Sequence, residues 1–323
     1  MKRSLLATSL FALMAISGLT GCNNKKADFS IGISQFVPVD ALNNATQGFV
    51  DKVKEGMKAV GKTVDFDIQL ASGDIATCST IASTFASKKK DLIMANATPC
   101  LQAAASATAT IPVLGTSITE YGVALNISDV SQGTGINVSG TSDLAPLETQ
   151  AQMVVSNFPS ATTVGLLYCT NEANSIYQVN KVEAELQRLG KQTRRITFAQ
   201  TSELEVNLRG VINNIDALYI PTDNQCANAT STIDAVCSEK NIPVFAGEEG
   251  MCKECGAFTL SINYYTLGQI TGEMALEILL EGKDVSTMKI RLDESPVKKY
   301  NPVICQRLGI TPPSDYVAIE MGE

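Results

Sequence analysis

From residue 29 onward, short apolar runs alternate with longer stretches whose apolar residues recur every three or four positions. FSIGISQF and DLIMANA have the length and composition of buried strands, whereas Leu42, Ala45, Phe49, Val53, Met57 and Val60 fall on one face of a helix. The predicted order is strand FSIGISQF, that helix, strand VDFDIQLA, helix IATCSTIASTFASK, strand DLIMANA, a helix opened by Pro99, and strand IPVLGTS. Proline suits a first helical turn because its missing N–H would have had no intrahelical partner. The glycine-rich YGVALNISDVSQGTGINVSGTSD has few helical signals and predicts the passage out of this first unit. Asp143, with Pro146 beyond it, then starts a helix running to about Phe158.

A second series follows: strand TTVGLLY, a helix from Ala173 to Leu189, strand RRITFA, helix ELEVNLRGVINN, strand ALYIPT, one helix from Asn224 to Lys240, and strand IPVFAG. FTLSINYY, helix TLGQITGEMALEILLEG and a strand near MKIRL complete the order. Two such series predict an α/β protein of two similar Rossmann-like lobes with parallel sheets. An internal likeness supports the pairing. DLIMANATPC with a downstream IPV strand matches in kind DALYIPTDNQC with its own downstream IPV strand.

Length agrees, since 323 residues suit two domains of ordinary size. A net charge of -8 argues against nucleic acid as a partner, because phosphate binding needs a basic face. The chain has no histidine, which removes the usual general base of serine and cysteine hydrolases and the commonest metal ligand. Cys100 at a helix start has the position of an activated nucleophile, but no histidine can activate it. There is no GxSxG elbow and no P-loop, and GTGINVSG lacks the Rossmann spacing. The chain therefore reads as a binding protein and not an enzyme, with no cofactor.

Lys2 and Arg3, the apolar LLATSLFALMAISGL and then LTGC have the form of an export signal ending in a bacterial lipobox, with Cys22 as the lipidated residue. Cys22 aside, eight cysteines remain in an exported chain, which invites disulfides. Cys226 and Cys237, on one predicted helix, would stand about 16 Å apart and cannot pair. Cys252 and Cys255 form a lone CxxC, open to a local disulfide, a redox pair or half of a zinc site.

In open parallel sheets the ligand lies beyond the carboxyl ends of the strands. The segments there are polar: SQFVPVD, NATPC, GTSITEY, YCTNEANS, PTDNQC and GEEGM. They suit a small zwitterion. Thr98, Ser142 or Ser175 hydroxyls with helix N-terminal N–H groups would receive a carboxylate, and Asp223, Glu172 or Glu248 an ammonium. Phe36, Tyr121 and Tyr177 would supply an aromatic wall.

ATP with AAA in the following helix, then SGTSD, NEANS, PTDN and IPVFAGEEGM, in this order, resemble ABC-transporter substrate-binding lipoproteins of the tryptophan/tyrosine type. The resemblance spans essentially the whole chain after the signal and implies a type I periplasmic-binding-protein fold with a three-crossing hinge. It also implies capture of an amino acid, delivery to an ABC permease, and a lipid-anchored monomer; a sensor presenting its ligand to a membrane receptor is the alternative. Residue by residue, it carries the binding role to Gln35, Thr98, Ser142, Asn174, Asp223 and Glu248, with Glu172 and Ser175 completing the set. With crossings near residues 139, 260 and 286, residues 1–21 form the signal and 22–28 a tether. Residues 29–138 with 260–286 then form the first lobe, and 139–259 with 287–323 the second. The sequence departs from the family pattern at PVDALN, where relatives tend to show EHPALD, and at Thr119–Tyr121, where TDP is usual. Both departures fall in cleft loops that bear on ligand identity.

Overall fold

The computed structural model of the protein describes residues 26–293 and 295–321, so the export signal and Cys22 lie outside the described residues. The chain begins β1 (Phe29–Gln35), α1 (Asp40–Ala59), β2 (Val64–Leu70), α2 (Ile75–Ser87), β3 (Leu92–Asn96), α3 (Thr98–Ala107), β4 (Val113–Ile118), α4 (Tyr121–Leu125) and β5 (Val138–Ser142). It continues α5 (Leu147–Asn157), β6 (Thr163–Cys169), α6 (Ala173–Arg188), β7 (Gln192–Phe198), α7 (Thr201–Val211), β8 (Ala217–Ile220), α8 (Asn224–Ala227), α9 (Thr230–Ser238) and β9 (Val244–Ala246). The remainder is α10 (Glu249–Cys255), β10 (Phe258–Ser261), α11 (Tyr264–Glu281), β11 (Arg291–Leu292), β12 (Val297–Tyr300), α12 (Pro302–Leu308) and β13 (Val317–Ala318).

The strands form two sheets, ordered β11-β5-β4-β3-β1-β2 and β13-β12-β10-β9-β8-β6-β7. Every pairing is parallel except β10 with β12. The first five strands of each series share one order, 2-1-3-4-5, so the two lobes are doubly wound copies of one plan. Strands β3 and β8 are buried along their whole length, as strands covered by helices on both faces must be.

Several expectations are corrected. The segment read as a passage between lobes contains α4 and β5, and β5 is a strand of the first sheet. The helix expected from Asn224 to Lys240 is two helices, α8 and α9, broken at Asn228–Ala229. Helix α10, strand β12, helix α12 and strand β13 were not expected. Sheet membership also moves the crossings: the chain changes lobe between Ser142 and Leu147, between Ser261 and Tyr264, and between Leu292 and Val297.

After the second crossing, α11 returns to the first lobe and packs along α1. A Cβ built on Gly48 would lie 2.1 Å from the Tyr265 carbonyl oxygen, and one on Gly268 would lie 2.0 Å from that of Ala45. These two glycines let the helix backbones approach as no larger residue would. The close fit fixes the start of α11, and with it Tyr264, at the mouth of the cleft.

Candidate functional site

Between the lobes lies a small cavity of about 30 Å³, room for about two water molecules in this arrangement of the lobes. The first lobe contributes Ala41 and Leu42 from α1 and Ser117 and Thr119 from the end of β4. The second contributes Asn174, Thr222, Asp223, Asn224, Glu248 and Met251, while Asp143 and Tyr264 come from the crossings. No lysine or arginine lines it.

Three polar atoms of the lining are buried without a partner: Ser117 Oγ, Asp143 Oδ1 and Asn174 Oδ1. Each is aimed by local structure. Ser117 has a φ of 56°, and the pairing of β4 with β5 slips in register between Gly115 and Ile118. A bulge with a left-handed residue re-aims a side chain at a cost in strain, which clusters at functional sites. Asp143 accepts the Tyr264 hydroxyl on Oδ2 at 2.9 Å, leaving Oδ1 free. The Asn174 amide donates to the Thr222 carbonyl at 2.9 Å and to Glu172 Oε2 at 3.2 Å, which turns its oxygen toward the cavity.

The N-terminus of α1, a helix of 20 residues whose N-cap, Val39, provides no side-chain cap, also borders the cavity. Its first-turn N–H groups and dipole favour an anion. The cavity thus offers unpartnered acceptors, a helix start that favours an anion, and an apolar surface from Val39, Leu42, Ala227 and Met251.

Burial raises the carboxyls around it. Asp143 and Asp223 lie above the ordinary aspartate range. Glu248 is pushed up to about 7, and Glu172 to about 8 by burial and then by the neighbouring Asp223.

The expected site residues divide. Asn174, Asp223 and Glu248 line the cavity, but both carboxylates are engaged by backbone. Asp223 accepts from Cys169 N at 2.7 Å and Cys226 N at 2.8 Å, capping α8, and Glu248 accepts from Gly250 and Met251 N–H groups, capping α10. Glu172 does not reach the lining; it accepts from Asn224 N, Asn224 Nδ2 and Gln225 N. Ser175 is buried beside Asn174 and bonds Asp223.

Gln35 stands apart, its amide spent on Val37 O, Asn43 and Thr46. Ser142 Oγ donates to Thr119 O. Thr98 is buried and does not line the cavity, and Asn96, two residues before it, ties the strand end to α1 through Leu42 O and Thr46 Oγ1.

The expected aromatic wall is absent from the lining. Phe36 packs in the first-lobe core, the Tyr121 hydroxyl is held by Gly115 O and Thr141 O, and Tyr177 lies beside Lys181; Tyr264 alone lines the cavity. The eight cysteines from Cys78 to Cys305 are buried free thiols. Cys226 and Cys237 sit on separate helices, and the CxxC pair packs within α10. Cys100 lies 3.5 Å from the Cys78 sulfur, and burial pushes its thiol up.

Two doubly wound lobes, joined by three crossings and closed over a polar cavity, make a solute-binding protein of the type I periplasmic-binding-protein fold. The family model for ABC transporter substrate binding proteins matches residues 30–320, and the chain belongs to that family. It is 33% identical over 311 residues to a tyrosine-binding protein of Clostridioides difficile, covering 92% of this chain and 90% of that one.

Among solved structures it resembles a domain in complex with L-Trp from Streptococcus pneumonia, with a TM-score of 0.84, 28% identity, 88% of this chain and 96% of that one. It also resembles the ligand-free, open structure of a substrate-binding protein with adhesive properties from Clostridium difficile, with a TM-score of 0.68, 34% identity, 90% of this chain and 100% of that one. As a substrate-binding protein of an ABC importer, the chain is not an enzyme and works outside the cytoplasm. Among the described residues, no helix is long and apolar enough to cross a membrane.

Proposed function

We propose that the protein captures a single amino acid with an aromatic side chain in the inter-lobe cavity and releases it to a membrane permease. The observation that carries this reading is that Ser117 Oγ, Asp143 Oδ1 and Asn174 Oδ1, buried and unpartnered, line one cavity that the uncapped start of α1 also borders. Buried polar groups without partners are rare, and three on one cavity are what a ligand's ammonium and carboxylate would satisfy. Asp143 and Asn174 receive the ammonium, the first turn of α1 with Ser117 receives the carboxylate, and Leu42, Met251 and Tyr264 contact the side chain. Asp223 and Glu248 shape the far wall and add negative potential. The relatives that bind tyrosine and L-Trp support the substrate class. LTGC supports anchoring through a lipid on Cys22, and the protein acts as a monomer.

The test is thermal stabilisation across the amino acids, together with mass spectrometry of ligand retained through purification. Stabilisation is expected with L-tyrosine or L-tryptophan. No shift with any amino acid at millimolar concentration would overturn the substrate assignment.

A further inference from the structure

The cleft closes at a second place, outside the cavity. Gln225 Nε2, on α8 of the second lobe, donates to the Gly73 carbonyl of the first lobe at 3.1 Å. Its Oε1 accepts the Thr201 hydroxyl at 2.8 Å, so the amide is oriented before it reaches across. Gly73 has a φ of +80°, and a Cβ built there would meet Gln225 Nε2 at 3.2 Å. None of Gln225, Gly73 and Thr201 lines the cavity; all three line a separate space at the cleft rim. Among the described residues, the other cross-lobe side-chain hydrogen bonds, Thr119 with Thr222 and with Gln178, are each 3.4 Å and correspondingly weak.

Glu172 stands between this rim bond and the cavity. One of its oxygens accepts from Gln225 N at 3.0 Å, and the other accepts from Asn224 Nδ2 at 2.6 Å and from Asn174 Nδ2 at 3.2 Å. A single buried carboxyl thus holds the backbone of the rim residue and the amide whose oxygen faces the ligand.

We propose that Glu172 is a positioning residue that couples ligand capture to closure, holding Asn174 toward the ligand and Gln225 toward the Gly73 carbonyl, which together form the latch of the closed state. The proposal rests on the cavity being the ligand site. A ligand that pulls on Asn174 steadies Glu172, and Glu172 steadies the segment that carries the latch. The ligand touches neither Gln225 nor Gly73, yet its residence time depends on both.

The experiment compares the wild-type protein with Gln225→Ala, Glu172→Gln and the double variant, using L-tyrosine and L-tryptophan as probes. Affinity is read by calorimetry and dissociation by stopped flow. Gln225→Ala is expected to release the probe about fivefold faster, the effect of one neutral hydrogen bond, with little change in association. Glu172→Gln presents an N–H to donors, so it is expected to lose more, and the double variant no more than Glu172→Gln alone. A residue that only supports the fold would lower the melting temperature without this pattern. Wild-type binding with unchanged dissociation from Gln225→Ala, or additive losses in the double variant, overturns the latch alone. Failure of wild type to bind either probe overturns the functional reading and this proposal with it.

Discussion

Asp143 Oδ1 is buried without a hydrogen-bond partner among the described residues, an arrangement that costs folding free energy until something pairs with it. Asp143→Asn should therefore weaken L-tyrosine or L-tryptophan at least tenfold by calorimetry while leaving the ligand-free melting temperature equal or higher; retained affinity would remove Asp143 from the site. Cys100→Ser and Thr98→Val should leave ligand affinity unchanged, since both residues are buried and neither lines the cavity. The loops that build the cavity were legible in the sequence as polar strand ends, and Asn174, Asp223 and Glu248 of the expected residues line it, but Ser117 and Asp143 were not legible as lining. Asp143, placed just before a proline, reads as a helix start, whereas α5 begins at Leu147 and the carboxyl turns to Tyr264 instead. Ser117 is aimed by a bulge and a left-handed backbone that no local pattern announces. Titration belongs to this scale too. Glu172 and Glu248 ionise near 4.5 when unfolded and at about 8 and about 7 when folded. Below 4.5 both states hold the protons; as pH rises toward 8 the unfolded chain releases them first, so stability is lost across that window. Ligand-free melting temperature should fall between pH 5 and pH 8, and Glu172→Gln should flatten the slope; a rising curve would contradict these buried carboxyls.

Periodicity revealed most elements because their buried faces are apolar, as along α1, where Leu42, Ala45, Phe49, Val53 and Met57 all turn inward. It missed β5, whose VSGTS is wholly buried yet rich in hydroxyls. Those hydroxyls are paired by distant chain: Ser139 with Met288 O, Thr141 with Thr271, and Ser142 with Thr119 O. A strand that buries polar groups against partners more than 100 residues away, as Ser139 and Thr141 do, leaves no alternating signature. The contact of α1 with α11 carries its own prediction. Gly268→Ala places a methyl against the Ala45 backbone and should destabilise the protein by about 1–3 kcal/mol in urea unfolding. An unchanged midpoint would mean that the two helices separate freely.

The whole molecule has its two lobes in contact across the cleft. Its TM-score is 0.84 against the L-Trp complex and 0.68 against the open, ligand-free relative, although the latter is nearer in sequence. A closer approach of the lobes than in the open relative fits that inversion, and the cross-lobe bond from Gln225 to Gly73 agrees with it. In solution the ligand-free protein should show a larger radius of gyration by X-ray scattering than the ligand-saturated one; equal radii would argue against hinge closure. The return of α11 to the first lobe has a further consequence, for the order of assembly. Ala41 and Ala45 of α1 are covered by Ile262, Tyr264 and Leu267, and Phe49, Val53 and Met57 by Met274, Ala275 and Ile278. The early strands β1, β3 and β4 cover part of that face, but the side that meets α11 is completed only when residues 262–278 have been made. The amino-terminal half of the chain therefore reaches its finished form only after most of the sequence has left the ribosome.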